Sequence, residues 1–293
     1  MAIRRRAVVT GALGLLALAG ACRGVPDPAI IQLSEARRLT TELRLQLSEA
    51  VSASDRAVMA DTDEASVAFA RQADAAAGSV ESGTTALMSR LQKLGNDSDV
   101  RTLDTFAGKF AEYRQVDRQV LELAQQNTNL KAQRLSFGPV REAADAFREA
   151  LDGLARAAPA KDRARIEALV ARAELNVREI QVLQAPHIAE SAEAEMNRLE
   201  SEMAVRATAA RRGLDDLKSA GGAAAAPALT AATAALDRFD QLSRQLVALS
   251  RQNSNVRSLE LALRRQPALA AACDASLATL ADNLANEGFT GTR

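Results

Sequence analysis

The chain has 293 residues, 37 basic and 37 acidic side chains, a formal net charge of zero, seven Phe, one Tyr and no Trp. So even a charge offers no electrostatic footprint for nucleic acid, and so few aromatic rings cannot build a base-stacking surface. Ala, Leu, Glu, Arg and Gln, the strong helix formers, dominate the composition and predict an all-α fold of long helices.

At the N-terminus Arg4, Arg5 and Arg6 precede an uncharged apolar run from Ala7 to Ala21. This is the pattern of a secretory signal, and its fifteen apolar residues fall short of the roughly 20 that a spanning helix needs. Removal of residues 1–21 leaves 34 basic and 37 acidic side chains, a formal charge of −3. The segment Leu18-Ala19-Gly20-Ala21-Cys22 resembles the bacterial lipoprotein box, with Ala19 standing where that box prefers Leu. The resemblance implies lipid attachment at Cys22 and a membrane anchor; ordinary signal cleavage after Ala21 is the alternative. The arginines also suit twin-arginine export.

Four apolar stripes follow. Leu39, Leu43, Leu47 and Ala50 mark a first helix, and Ala73, Ala77, Val80, Leu87, Leu91 and Leu94 a second. Phe110, Tyr113, Val116, Val120 and Leu123 mark a third, and Val140, Ala144, Phe147, Leu151 and Leu154 a fourth. Spacings of three and four place each set on one helix face. Four such faces bury one another most simply in an up-down bundle. From Ile166 the pattern runs again, through Leu169, Ala173 and Ile180, then Met196, Leu199, Met203, Leu214 and Leu217. Leu236, Phe239, Leu242, Leu246 and Leu249 come next, and Ala270, Cys273, Leu277 and Leu280 close the series.

The second set is a copy of the first. Gln126-Asn127-Thr128-Asn129 recurs as Gln252-Asn253-Ser254-Asn255, 126 residues on, and the same offset pairs Tyr113 with Phe239, Arg118 with Arg244 and Leu151 with Leu277. A fixed offset is the signature of a duplicated unit. Gly95-Asn96-Asp97, Gly138-Pro139, Pro186, Gly221-Gly222 and Pro267 are predicted to break the chain between stripes. Pro159, at the unit boundary, is compatible with the first turn of a continuing helix. Ala223 to Ala226 reads as a short loop running into a helix. The expectation is two tandem up-down four-helix bundles stacked end to end, residues 22–158 and 159–293, each able to fold alone.

The stretch Tyr113 to Leu135, with Leu121-Glu122-Leu123-Ala124 leading into Asn127, Asn129 and Ala132, is followed by a break and the helix Val140 to Leu154. Phe239 to Leu280 carries the same features. These stretches resemble the extracytoplasmic four-helix-bundle sensor domain of methyl-accepting chemotaxis proteins. That resemblance implies a periplasmic bundle that senses a small molecule or a ligand-loaded partner and passes a helix displacement across a membrane. No transmembrane helix or cytoplasmic signalling domain follows here, so the output is expected to pass through another, membrane-bound signalling protein.

Asn127 and Asn253 extend the stripes Val120, Leu123 and Leu246, Leu249, and are predicted to be buried. A buried Asn can fix helix register and partners, or it can line a polar notch that receives a ligand. Arg118 and Arg244 sit off the stripe at matching places. Each could face a carboxylate ligand or remain solvated. His187, after Pro186 at an expected helix start, reads as a surface residue, and Cys273 as a small core residue outside any disulfide framework.

Enzyme chemistry finds no footing. Glu-x-x-His pairs, a Cys-x-x-Cys-His haem motif and glycine-rich phosphate loops are all missing, so no catalytic residue, cofactor or metal is expected. Glu190, Glu193 and Glu195 suit a helix start by the helix dipole alone. The reading is a non-catalytic, exported, lipid-anchored protein of the cell envelope that binds a small ligand or a signalling partner. The alternative is a structural lipoprotein that only presents helical surfaces to other proteins.

Overall fold

The structure, a computed structural model, describes residues 27–290, and every element among them is helical. The signal segment and Cys22 lie outside the described residues. The first half holds α1 (Pro28–Val58), α2 (Asp63–Leu94), α3 (Asp97–Gln126), α4 (Thr128–Leu135) and α5 (Arg141–Ala157). The second holds α6 (Arg163–Ala189), α7 (Glu193–Gly221), α8 (Ala226–Gln252), α9 (Ser254–Arg264) and α10 (Gln266–Thr290).

Local chemistry sets most of these boundaries. Asp27 and Thr62 cap α1 and α2 by accepting the amides of Ala29 and Ala65. Gly95 ends α2 at φ +69°, where a side chain would be strained, and Asn96 then accepts the amides of Ser98 and Asp99. Two expected breaks and one expected continuation are corrected. Gly138-Pro139 does not interrupt the chain: a π turn, Ser136–Val140, carries α4 into α5. Its wider ring accommodates the amide that Pro139 lacks. Pro186 sits inside α6, which runs on to Ala189. At Pro159 the helix does stop, because Ala158 turns extended and residues 158–162 reverse the chain.

The partition into bundles is also corrected. One core joins Leu43, Leu87, Phe106 and Tyr113 of the first repeat to Cys273, Leu277, Leu280 and Leu284 of α10. The other joins Phe147, Leu151 and Leu154 of α5 to Ile166, Leu214, Leu217, Leu236 and Phe239. Thus α1, α2, α3 and α10 form one up-down bundle, and α5, α6, α7 and α8 form the other. Each repeat lends its fourth helix to its neighbour, so 22–158 and 159–293 are repeats in sequence but not packing units. The far end of the first bundle is tied by Arg37, whose Nε and Nη2 donate to the carbonyl of Leu284 at 2.9 and 2.6 Å. At the near end the chain crosses over, next to Asn127 and Asn253.

The offset also shifts within the repeat. Gly83 packs on Leu43 and Gly213 on Ala173, each pair displaced by 130 residues. A Cβ at Gly83 would sit 2.9 Å from Leu43 and one at Gly213 3.1 Å from Ala173, so both glycines permit close helix approach. The first two helices of the units therefore align at 130 and the last two at 126.

Candidate functional site

The two crossing points are bound to each other. Asn127 and Asn253 do not continue their helices as the stripes suggested. Both are left-handed, at φ +50° and +54°, and end α3 and α8. Asn tolerates that region better than other L residues. The helices that start just afterwards have amides without an intrahelical acceptor, and each is capped by the other repeat. Thr128 N–H donates to Ser254 Oγ at 3.0 Å, and Ser254 N–H to Thr128 Oγ1 at 3.1 Å. Asn129 N–H donates to Asn255 Oδ1 at 3.2 Å, and Asn255 N–H to Asn129 Oδ1 at 3.1 Å. The amide nitrogens of Asn129 and Asn255 reach Asn253 Oδ1 and Asn127 Oδ1 at 2.8 and 2.9 Å. Asn127, Thr128, Asn129, Asn253 and Ser254 are all buried. The knot is tied onward to the end of α6, where Asn129 donates to the Ile188 carbonyl and Asn253 to that of Glu190.

Beside the knot lies a charged cluster that the sequence did not announce. His187 is fully buried, not at the surface: its Nε2 is 2.8 Å from Glu200 Oε1 and its Nδ1 2.9 Å from Ser250 Oγ. Arg251 grips the same Glu200 through Nε and Nη2 at 2.7 and 2.9 Å. Burial pushes the Glu200 carboxyl up, but hydrogen bonds from Arg251 and His187 outweigh it and hold the group below its ordinary range. Residues 177, 180, 184 and 187 carry Val, Ile, Gln and His at helical spacing, so the stripe of α6 ends in two polar residues. That is the same signal by which Asn127 was noticed.

In each bundle a polar side chain from the incoming fourth strand of chain joins two other helices. Ser136 donates to Gln184 Oε1 at 2.7 Å, and Gln184 Nε2 to Ser243 Oγ of α8 at 3.2 Å. Gln266 donates to Ser54 of α1 and to Asp117 of α3 at 3.2 and 3.0 Å. Asp117 is wholly buried, which raises its pKa despite the opposing bonds of Ser54 and Arg114.

Arg118 and Arg244 are both exposed. Only Arg244 borders a sizeable groove among those found, a hollow of about 450 Å³ between α6, α7 and α8. In the first bundle Arg114, one turn before Arg118, reaches from α3 to Asp74 and Glu81 of α2 at 3.1 and 3.6 Å and to Asp117 at 3.1 Å. At the matching places the second bundle has the charges reversed, with Asp240 on α8 paired to Arg211 on α7. Cys273 is buried in the first core with its thiol pushed up to about 11 by desolvation, as suits an inert core residue.

Residues 29–161 match a four-helix-bundle sensory module for signal transduction. The matched stretch runs from α1 to the turn after α5 and so coincides with the first repeat. In space, its fourth helix stands in the other bundle. No curated protein matches the chain. None of the described helices is long and apolar enough to cross a membrane.

Proposed function

We propose that the protein is a non-catalytic sensory module of the cell envelope, exported by its N-terminal signal and anchored through lipid on Cys22. It binds a small ligand and hands the resulting helix displacement to a membrane signalling protein. The match of residues 29–161 to the sensory module supports the class of function. The observation that carries the mechanism is the chain Ser136, Gln184, Ser243: it joins the wall of the groove in the second bundle to the segment arriving from the first. A ligand that shifts α8 therefore acts on α4 and α5, and through the knot on α3. Asn127 and Asn253 serve in this reading as the coupling element; the site for the ligand is the groove beside Arg244.

A melting screen against amino acids, organic acids and other small metabolites tests the reading, since a ligand bound by the native state raises the melting temperature with the logarithm of its concentration. A compound that shifts melting should also slow amide exchange in α3 and α4, across the junction. A screen with no shift overturns the small-molecule reading. Radiolabelled palmitate entering the wild type but not Cys22→Ser supports the anchor, and label in neither removes it.

A further inference from the structure

The groove between α6, α7 and α8 has an apolar floor and a polar rim. Ile180, Met203 and Phe239 form a buried apolar floor, 2, 7 and 0% exposed, with Val247 beside them. A few polar groups on an apolar concavity of this size are what a small-molecule site requires. The polar groups at its rim divide into engaged and free. Arg211 is taken by Asp237 and Asp240, and Glu200 by His187 and Arg251. Ser243 accepts from Gln184, which leaves its hydroxyl proton to donate. Arg244 makes no hydrogen bond or ion pair among the described residues.

We infer that this groove binds a small organic monocarboxylate with an apolar body, its carboxylate on Arg244 and the Ser243 hydroxyl and its hydrocarbon part on Val247, Ala207 and the edge of Met203, above the buried Phe239. A guanidinium and a hydroxyl donor together match one carboxylate. A second anionic charge on the ligand would meet Asp240 and Glu200, and a ligand cation would find those acids already paired with Arg211 and Arg251. The first repeat cannot form the same site although it keeps Arg118. Its counterpart of Ser243 is the buried carboxyl of Asp117, and Arg114 bridges α3 to α2 where the second bundle has Asp240. Duplication followed by these replacements leaves the open groove to the second repeat.

The inference deepens the sensory reading and rests on it for its purpose, not for its chemistry. The test is isothermal titration of the full chain with phenylacetate and 4-methylpentanoate, against phenylacetamide, acetate and phenethylamine. The two acids should bind; the neutral amide, the bodiless acid and the amine should bind at least tenfold more weakly or not at all. Arg244→Gln should weaken the acids by roughly tenfold or more, the effect of losing a charge-assisted hydrogen bond, with an unchanged melting curve. Arg118→Gln should bind like the wild type. No heat with either acid, an amide that binds as well as its acid, or an Arg244→Gln protein that binds like the wild type overturns the inference. If the acids bind but amide exchange in α3 and α4 stays the same, the site stands and the sensory reading falls. If the melting screen yields only ligands of another class, the reverse holds.

Discussion

Asn127 and Asn253 each do two jobs at one position: the backbone takes a left-handed turn, and the side chain enters the knot. A Leu in that backbone region costs about 1 to 2 kcal/mol, and each lost hydrogen bond roughly 1 kcal/mol more. Asn253→Leu should therefore destabilise the protein by about 2 to 4 kcal/mol in urea unfolding. Asn253→Gly, which keeps the turn and loses only the side-chain bonds, should cost less. A Leu variant as stable as the wild type would mean that α8 runs straight through and that Asn253 only sets register. The sequence marked both Asn residues as buried because they fall at stripe positions, and buried they are. It did not disclose the turn, because positive φ leaves no trace in apolar spacing. His187 and Gln184 fall on a stripe too; His187 reads as a surface residue only because Pro186 before it suggests a helix start, whereas α6 runs on to Ala189.

At the scale of the helix, α5 and α10 each leave their own repeat. Leu277 and Leu151 hold matching positions and are both fully buried, yet Leu277 packs against the first repeat and Leu151 against the second. Truncating a buried Leu costs about 2 to 5 kcal/mol at the site where the cavity forms. Leu277→Ala should thus weaken amide-exchange protection mainly in α1, α2 and α3, and Leu151→Ala mainly in α6, α7 and α8. Protection lost in the opposite bundle, or equally in both, would argue against the exchange. The eight longer of the described helices and their buried faces were legible from three-and-four spacing, but the short α4 and α9 were not separated from the helices before them. The choice of partner was not legible. A stripe such as Cys273, Leu277, Leu280 states which face wants burial, but α3 and α8 offer it nearly the same surface, being copies of each other. What decides is the route of the chain past Asn127 and Asn253, a matter of two backbone conformations and six side chains.

Over the whole molecule, the exchange makes the reversal at residues 158–162 dispensable for holding the halves together. Pro159, Ala160 and Lys161 are exposed there. Cleavage at a protease site engineered into this turn should leave both halves eluting as one species of native size, parting only in denaturant. Two separate species would show that each repeat can close on its own fourth helix.

The reciprocal capping at the knot is what a homodimer's self-complementary interface looks like, residue i meeting j and j meeting i. Fusing two such protomers into one polypeptide fixes their ratio and lifts the rule that every substitution must appear on both sides of the axis. The Arg114–Glu81 pair could then turn into Asp240–Arg211 on one side alone. One half has a groove beside Arg244, and the other has the Arg114 bridge at the matching helices. A symmetric dimer would present two sites for every output; with the proposed site in one half alone, each molecule would be either empty or occupied, with no half-filled state to interpret.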